Sequence, residues 1–109
     1  MGRAGERKAT EFLKKNGFKI LTKNYKTPFG EIDIIALDKE SIVFIEVKTR
    51  TSEVYGAPCE AVDKKKQERY YKSATYYLQK EKKTDNSCRF DVVEIKNGQI
   101  NHIFNAFGM

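Results

Sequence analysis

EIDIIALDKESIVFIEVK, residues 31 to 48, decides how the rest of the chain is read. Two apolar runs, Ile32 to Leu37 and Ile42 to Val47, are rich in β-branched residues and flank the polar turn Asp38, Lys39, Glu40, Ser41. That pattern predicts two antiparallel strands. With Lys39 and Glu40 at the centre of a tight turn, Leu37 faces Ile42 and the pairs step outward from there. Side chains alternate between the two faces of a strand. One face then carries Ala36 with Val43, Ile34 with Ile45, and Ile32 with Val47, all apolar. The other carries Leu37 with Ile42, Ile35 with Phe44, Asp33 with Glu46, and Glu31 with Lys48, so it begins apolar and ends charged.

A sheet apolar on both faces needs a cover on both, and helices provide it most simply. The charges therefore sit at the mouth of a covered face. Directly opposed strand residues have Cβ atoms ~5 Å apart, and like charges there repel. Asp33 facing Glu46 is thus unfavourable unless something positive lies between them, and a divalent cation would remove the repulsion. The alternative is a set of cross-strand ion pairs, Glu31 with Lys48 and Arg50 with Asp33. Exposed pairs contribute only ~0 to 1 kcal/mol, so two opposed acids are poorly explained as a stabilising device.

The chain has 109 residues, which fits one domain over 1–109 with a real core. Lys and Arg number 21 against 15 Asp and Glu, a net charge of +6 that favours an anionic partner such as nucleic acid or an anionic membrane surface. The charge is unevenly placed: residues 1 to 30 hold eight basic and two acidic groups, 31 to 62 three and seven, and 63 to 109 ten and six. An acidic centre lies between basic arms. No apolar run approaches a membrane span and no signal peptide is evident, so no membrane partner and a cytoplasmic location are expected. Cys59 and Cys88 lack CxxC spacing, which argues against a metal knuckle and for a reducing compartment.

Residues 2 to 16 predict a helix, with Ala9, Phe12 and Leu13 inward and Asn16-Gly17 as its stop. Glu6 is either a first-turn acid or a functional group near the apolar stripe. Phe18 to Tyr25 predicts a strand, Thr27 to Gly30 a break, and Thr49 to Glu60 a loop. Val62 to Lys80 predicts a second helix whose stripe, Val62, Lys66, Tyr70, Ala74, Tyr77 and Leu78, is interrupted by Lys66. A lysine there more commonly buries its stem and sends its amine outward, or else it points into the charged mouth. Tyr70, Tyr71, Tyr76 and Tyr77 beside Lys64, Lys65 and Arg69 combine aromatic and basic character as nucleic-acid surfaces do, though this spacing is commoner in cores and rims. Arg89 to Ile95 is a strand, Asn97-Gly98 a hairpin turn, and Gln99 to Asn105 its partner. His102 reads as a structural or surface group. The crossover from the Glu46 strand through the helix to the Phe90 strand makes those two strands parallel. The expected fold is α/β (α+β), a central mixed β-sheet flanked by helices in the order αβββαββ.

Asp33, followed after twelve residues by Glu46-Val47-Lys48, resembles the PD-(D/E)XK signature of restriction-endonuclease-like nucleases, with Ile32 where the motif's name has proline. More widely, GRAGERKATEFL, NGFKIL, GEIDIIA, VFIEVKTR, AVDKKKQERYYKSATYYL, RFDVVEI and HIFNAF resemble the bacterial YraN-like family over essentially the whole chain. That family is grouped with the endonuclease fold, near archaeal Holliday-junction resolvases. The resemblance implies a restriction-endonuclease-like domain that hydrolyses phosphodiester bonds of nucleic acid, DNA foremost, with branched DNA one candidate substrate. It implies Asp33, Glu46 and the carbonyl of Val47 as ligands of Mg²⁺ or Mn²⁺, and Lys48 as the group facing the scissile phosphate. Glu31 would support Lys48 or the metal's outer shell, and Glu6 matches a glutamate on the first helix of the resolvase pattern. Mg²⁺ takes oxygen ligands at ~2.1 Å and keeps several waters, so such a set leaves room for phosphate and water.

Arg3, Arg7, Lys8, Arg50 and Lys66 are the candidate phosphate contacts. The competing expectation is a non-catalytic nucleic-acid-binding module that retains the fold. The intact acid, acid, lysine set speaks against it, since a pure binder gains nothing from carboxylates facing phosphates. One domain holds one site, so a cut through both strands needs a homodimer or two encounters, and the terminal NAFGM is a candidate interface.

Overall fold

The structure is a computed structural model that describes residues 2–50 and 63–107, with side chains from residue 4. Its elements are α1 (Gly2–Lys15), β1 (Lys19–Thr27), β2 (Gly30–Asp38), β3 (Ser41–Arg50), α2 (Lys64–Lys80), β4 (Cys88–Lys96) and β5 (Gln99–Phe107), the expected αβββαββ order. The five strands form one sheet in the order β1-β2-β3-β4-β5, antiparallel except for β3 with β4. Both helices are shorter than a membrane-spanning segment requires; among the described residues no helix is long and apolar enough to cross a bilayer.

The stop of α1 and the turn between β4 and β5 form as the sequence predicts, whereas α2 begins at Lys64, inside its expected Val62 start, behind a cap the sequence reading did not name. Asn16-Gly17 ends α1, with Gly17 at φ +90° and the Phe18 amide bonded to the Leu13 carbonyl at 2.9 Å. Asp63 caps α2, its carboxylate accepting the Lys66 amide at 2.8 Å. Asn97 and Gly98 both have positive φ, 52° and 79°, as a two-residue hairpin turn demands. β1 and β5 each run two residues beyond their expected ends, and β3 continues through Thr49 and Arg50, paired with Ile95 and Lys96. Val62 and the remainder of the expected loop lie outside the described residues, as does the end of NAFGM.

The sheet is covered on both faces. Against α1 lie Ala9, Leu13, Phe18, Ile34, Ala36, Val43, Ile45, Val93 and Ile95. Against α2 lie Ile32, Ile35, Ile42, Phe44, Tyr70, Ala74, Tyr77, Leu78, Phe90, Val92 and Phe107. Each large side chain so buried contributes ~1.5–3 kcal/mol, so the hairpin is held from both sides.

The hairpin register holds from Asp38↔Ser41 to Ile34↔Ile45 and then departs from expectation. Ile32 packs on the α2 face, not with Val47 on the α1 face. The cause lies at Asp33. Opposite it on β1, Asn24 takes a left-handed conformation at φ 53°, and the Asp33 carboxylate accepts the Val47 amide at 2.8 Å. A side chain thus takes the hydrogen bond a ladder would have used, and the strands separate where the charges begin. The expected pairs of Asp33 with Glu46 and of Glu31 with Lys48 are accordingly replaced by other partners.

Candidate metal centre

The separation of β2 from β3 opens a mouth into which α1 and α2 each send side chains. From α1 comes Glu6. Its approach depends on Gly5, where a Cβ would stand 2.5 Å from the Thr49 hydroxyl on β3. Glu6, Glu31 and Asp33 place carboxylate oxygens within 4.8 Å of one another. Asn24 binds two of them, its amide donating to Glu6 at 2.9 Å and to Glu31 at 3.0 Å. Among the described residues no lysine, arginine or histidine forms an ion pair with these three acids.

Asp33 is the point where the charges converge. Burial, together with the nearby carboxylates of Glu46, Glu6 and Glu31, pushes its pKa from 3.8 up to about 7, against the pull of the Val47 amide. Burial and three neighbouring acids thus work against its charged form, and among the described residues no cation forms an ion pair with it.

Glu46, 5% exposed, has the opposite surroundings. The Tyr70 hydroxyl of α2 donates to one of its oxygens, and the other meets the amines of Lys66 at 2.5 Å and Lys48 at 3.2 Å. Burial would raise its pKa, but the hydrogen bonds from Lys66 and Tyr70 and the two ammonium charges hold it below the usual range. Burial and the charges of Glu46 and Asp33 push the Tyr70 hydroxyl well above the usual tyrosine range, so it remains a donor.

The two lysines are not equivalent. Burial disfavours the charge on Lys66, but its hydrogen bonds and the Glu46 carboxylate outweigh that and raise its pKa. Lys48 is lowered, by burial and by competition from Lys66, despite Glu46. Both amines meet the same oxygen of Glu46, Lys66 at the shorter distance.

Of the five expected residues, Glu6, Glu31 and Asp33 come together, while Glu46 and Lys48 pair with each other and stand outside that group of three. Lys48 pairs with Glu46 rather than Glu31, and Glu31 turns instead to Asn24. Lys66 points into the mouth, so the more common outward placement of its amine does not apply. Arg50 meets Glu94 of β4 at 2.7 Å and is largely buried, in place of the expected pair with Asp33. Arg7 and Lys8 are exposed on α1, and the side chain of Arg3 lies outside the described residues. Val47 contributes its amide to Asp33, and its side chain packs toward α1.

The donors at the mouth are carboxylate oxygens, with no thiol or imidazole among the described residues there, and such a set suits a hard cation such as Mg²⁺ or Mn²⁺. The acid cluster without a paired base also fits a cation, since one would offset the repulsion that raises Asp33. Glu46 fits less directly, because both of its oxygens already have partners.

Sequence reasoning passed over Asn24 and Tyr70. An asparagine inside a strand pattern is a weak signal, since asparagine tolerates the left-handed conformation and is depleted in strands. Tyr70 was visible as a member of an apolar stripe and of an aromatic and basic face, with no sign that its hydroxyl would hold Glu46. It also missed a second polar cluster on the α1 side, where fully buried Asp91 accepts from Arg89, the Asn105 amide at 2.8 Å and, at 2.8 Å, stands against His102. His102 is structural there, as expected.

Residues 5–95 match the family described as "Uncharacterised protein family UPF0102". A UPF0102 protein of Thermodesulfovibrio yellowstonii is 49% identical over 107 residues, covering 98% of this chain and 95% of its own length. One from Caldanaerobacter subterraneus subsp. tengcongensis is 46% identical over 98% of this chain and 93% of itself, and one from Persephonella marina 44% over 99% and 93%. With that much of its length matched, the chain belongs to the UPF0102 family.

Proposed function

We propose that this protein is a metal-dependent nuclease of the restriction-endonuclease-like PD-(D/E)XK type, hydrolysing phosphodiester bonds of nucleic acid, DNA foremost. The observation that carries the reading is the meeting of Asp33, Glu6 and Glu31 within 4.8 Å, with no paired cation among the described residues, beside Glu46 and Lys48. Asp33 would hold Mg²⁺ or Mn²⁺ at the centre, with Glu46 and the Val47 carbonyl on the β3 side and Glu6 and Glu31 on the other. Bound there, the cation would neutralise phosphate charge and make a nucleophile of water near neutral pH.

The chain's own groups do the rest. Tyr70 and Lys66 fix the Glu46 carboxylate from α2, so its position does not depend on the substrate. Lys48, a compact cation held beside Glu46 with its pKa lowered by burial, would stabilise charge that develops on the phosphate oxygens. Arginine at 48 would place a wider, always-charged group there, so Lys48→Arg should not rescue activity. The basic residues of α1 and α2 supply the attraction for a polyanion.

The test is cleavage of a labelled panel of linear, single-stranded, flapped and four-way-junction DNA, and of RNA, by the wild type, Asp33→Asn and Glu46→Gln. Cutting should require Mg²⁺ or Mn²⁺, stop in EDTA, and fall at least a hundredfold in either variant while binding persists. Salt-sensitive binding with no cutting of any substrate would overturn the nuclease and favour a binding module on the same fold.

A further inference from the structure

The outer face of α2 carries an open groove of about 370 Å³, formed by Phe29, Tyr71, Lys72, Thr75, Tyr76 and Gln79 and separate from the acid mouth. Phe29 stands at the turn between β1 and β2, 42% exposed. Its exposure is enforced. The Thr27 hydroxyl accepts the Phe29 amide at 3.0 Å, bonds the Gly30 carbonyl at 2.9 Å and meets the Ser73 hydroxyl of α2 at 2.8 Å, so the turn is fastened to the helix with its ring outward. The Lys72 amine lies 5.9 Å from the centre of that ring, and Lys80 lies 5.5 Å from the ring of Tyr76. Of the four helix tyrosines, Tyr70 and Tyr77 are core, whereas Tyr71 and Tyr76 remain half-buried at the groove. Along its exposed side α2 presents Lys64, Lys65, Arg69, Lys72 and Lys80 against one acid, Glu68.

We propose that this groove binds a single-stranded segment of nucleic acid, with unpaired bases stacked on Phe29 and Tyr76 and the phosphates tracked by Arg69, Lys72 and Lys80. The choice of ligand rests on charge complementarity and continuity. Ring faces alternating with amines match the alternation of base and phosphate along a strand. A base inside a duplex has both faces covered by its neighbours and cannot stack in this way, so the groove selects unpaired nucleotides. A Cβ on Gly30, next to Phe29, would meet Arg69 and Ser73 of α2 at 3.9 Å, and a separate small recess beside that turn has Gly30, Arg69 and, from the acid mouth, Glu31 and Lys66 in its lining. From Lys66 to Tyr76 the helix rises ~15 Å. A strand held at Phe29 and tracked by the amines of α2 would run toward the end of the helix that carries Lys66, beside the acid mouth. This deepens the nuclease reading, on which it rests for the class of ligand, by placing a single-stranded branch or end beside the cut.

The test is fluorescence anisotropy in EDTA, where nothing is cut, with a short labelled oligothymidylate and a duplex of equal length, on the wild type, Phe29→Ala, Phe29→Leu and Tyr76→Ala. Melting curves exclude misfolded variants, and Phe29→Leu keeps apolar bulk while removing the ring. Each variant should bind the strand about tenfold or more weakly and the duplex within about twofold of the wild type. Lys72→Gln should reduce the salt slope for the strand by about 0.7. Unchanged strand binding in Phe29→Ala and Tyr76→Ala, or equal losses for strand and duplex, would overturn the proposal. The two readings fail separately. Metal-dependent cleavage with ring-independent binding would remove the groove alone, and ring-dependent binding without cleavage would remove the nuclease alone.

Discussion

Two aspartates show how one residue type serves opposite ends in this molecule. Asp33 and Asp91 each accept a backbone amide of a neighbouring strand at 2.8 Å, from Val47 and Asn105 respectively. Asp33 then faces acids, and its pKa rises to about 7, whereas hydrogen bonds from His102 and Arg89 overcome burial and lower that of Asp91. The folded protein therefore retains a proton on Asp33 that the unfolded chain releases near pH 3.8, so this group's contribution to stability falls between about pH 4 and 7 and stays low above. In metal-free buffer Asp33→Asn, which keeps the acceptor for Val47, should be more stable than the wild type at pH 8 by on the order of 2 kcal/mol and nearly equal near pH 4. Urea unfolding at the two pH values measures this. A variant less stable than the wild type at pH 8 would show that Asp33 is balanced there by a charge not accounted for.

At the scale of elements, the sheet irregularities are where polar side chains enter. The β1 to β2 register shifts near Ile20 and again accommodates Asn24, and β4 to β5 shifts between Phe90 and Val92, beside Asp91. The hairpin register was legible as far as Ile34 and Ile45, because apolar alternation fixes a strand when one slip would turn every side chain over. The turn Asn97-Gly98, the stop Asn16-Gly17 and the parallel crossover were legible for equally local reasons. The swivel at Asp33 was not, since it arises when a side chain replaces a ladder bond, and alternation carries no trace of that. Ile32 was therefore assigned to the wrong face, and the partners of Lys48 and Glu31 followed that error. Asp91→Ala removes the acceptor for Arg89, His102 and the Asn105 amide together, and should destabilise the fold by ~3–5 kcal/mol. Because Asp91 lies away from the mouth, cleavage per folded molecule should stay near the wild-type value. Calorimetric melting with a rate measured below the transition checks both parts, and a large loss of rate in the folded variant would tie that cluster to the mouth.

Over the whole molecule, the two helices cover the sheet and also complete the mouth. α1 brings Glu6 to Asp33, and α2 brings Tyr70 and Lys66 to Glu46, so neither carboxylate's surroundings can be read from the hairpin alone. The acids themselves were visible in the sequence because opposed carboxylates have no packing purpose. Their division into two environments, one unbalanced around Asp33 and one answered by lysines around Glu46, depends on how the helices dock. The basic excess was legible as a total, but its arrangement was not: Arg50 is taken up by Glu94, whereas α2 displays a basic and aromatic side running away from the mouth.

The nuclease reading depends on the acids around Asp33 taking a divalent cation. Titration calorimetry of Mn²⁺ into the wild type and Asp33→Asn at pH 8 tests that directly, with no substrate present. The account predicts saturable binding by the wild type and at least tenfold weaker binding by the variant. No saturable binding at millimolar Mn²⁺, or equal binding by the two proteins, would contradict it.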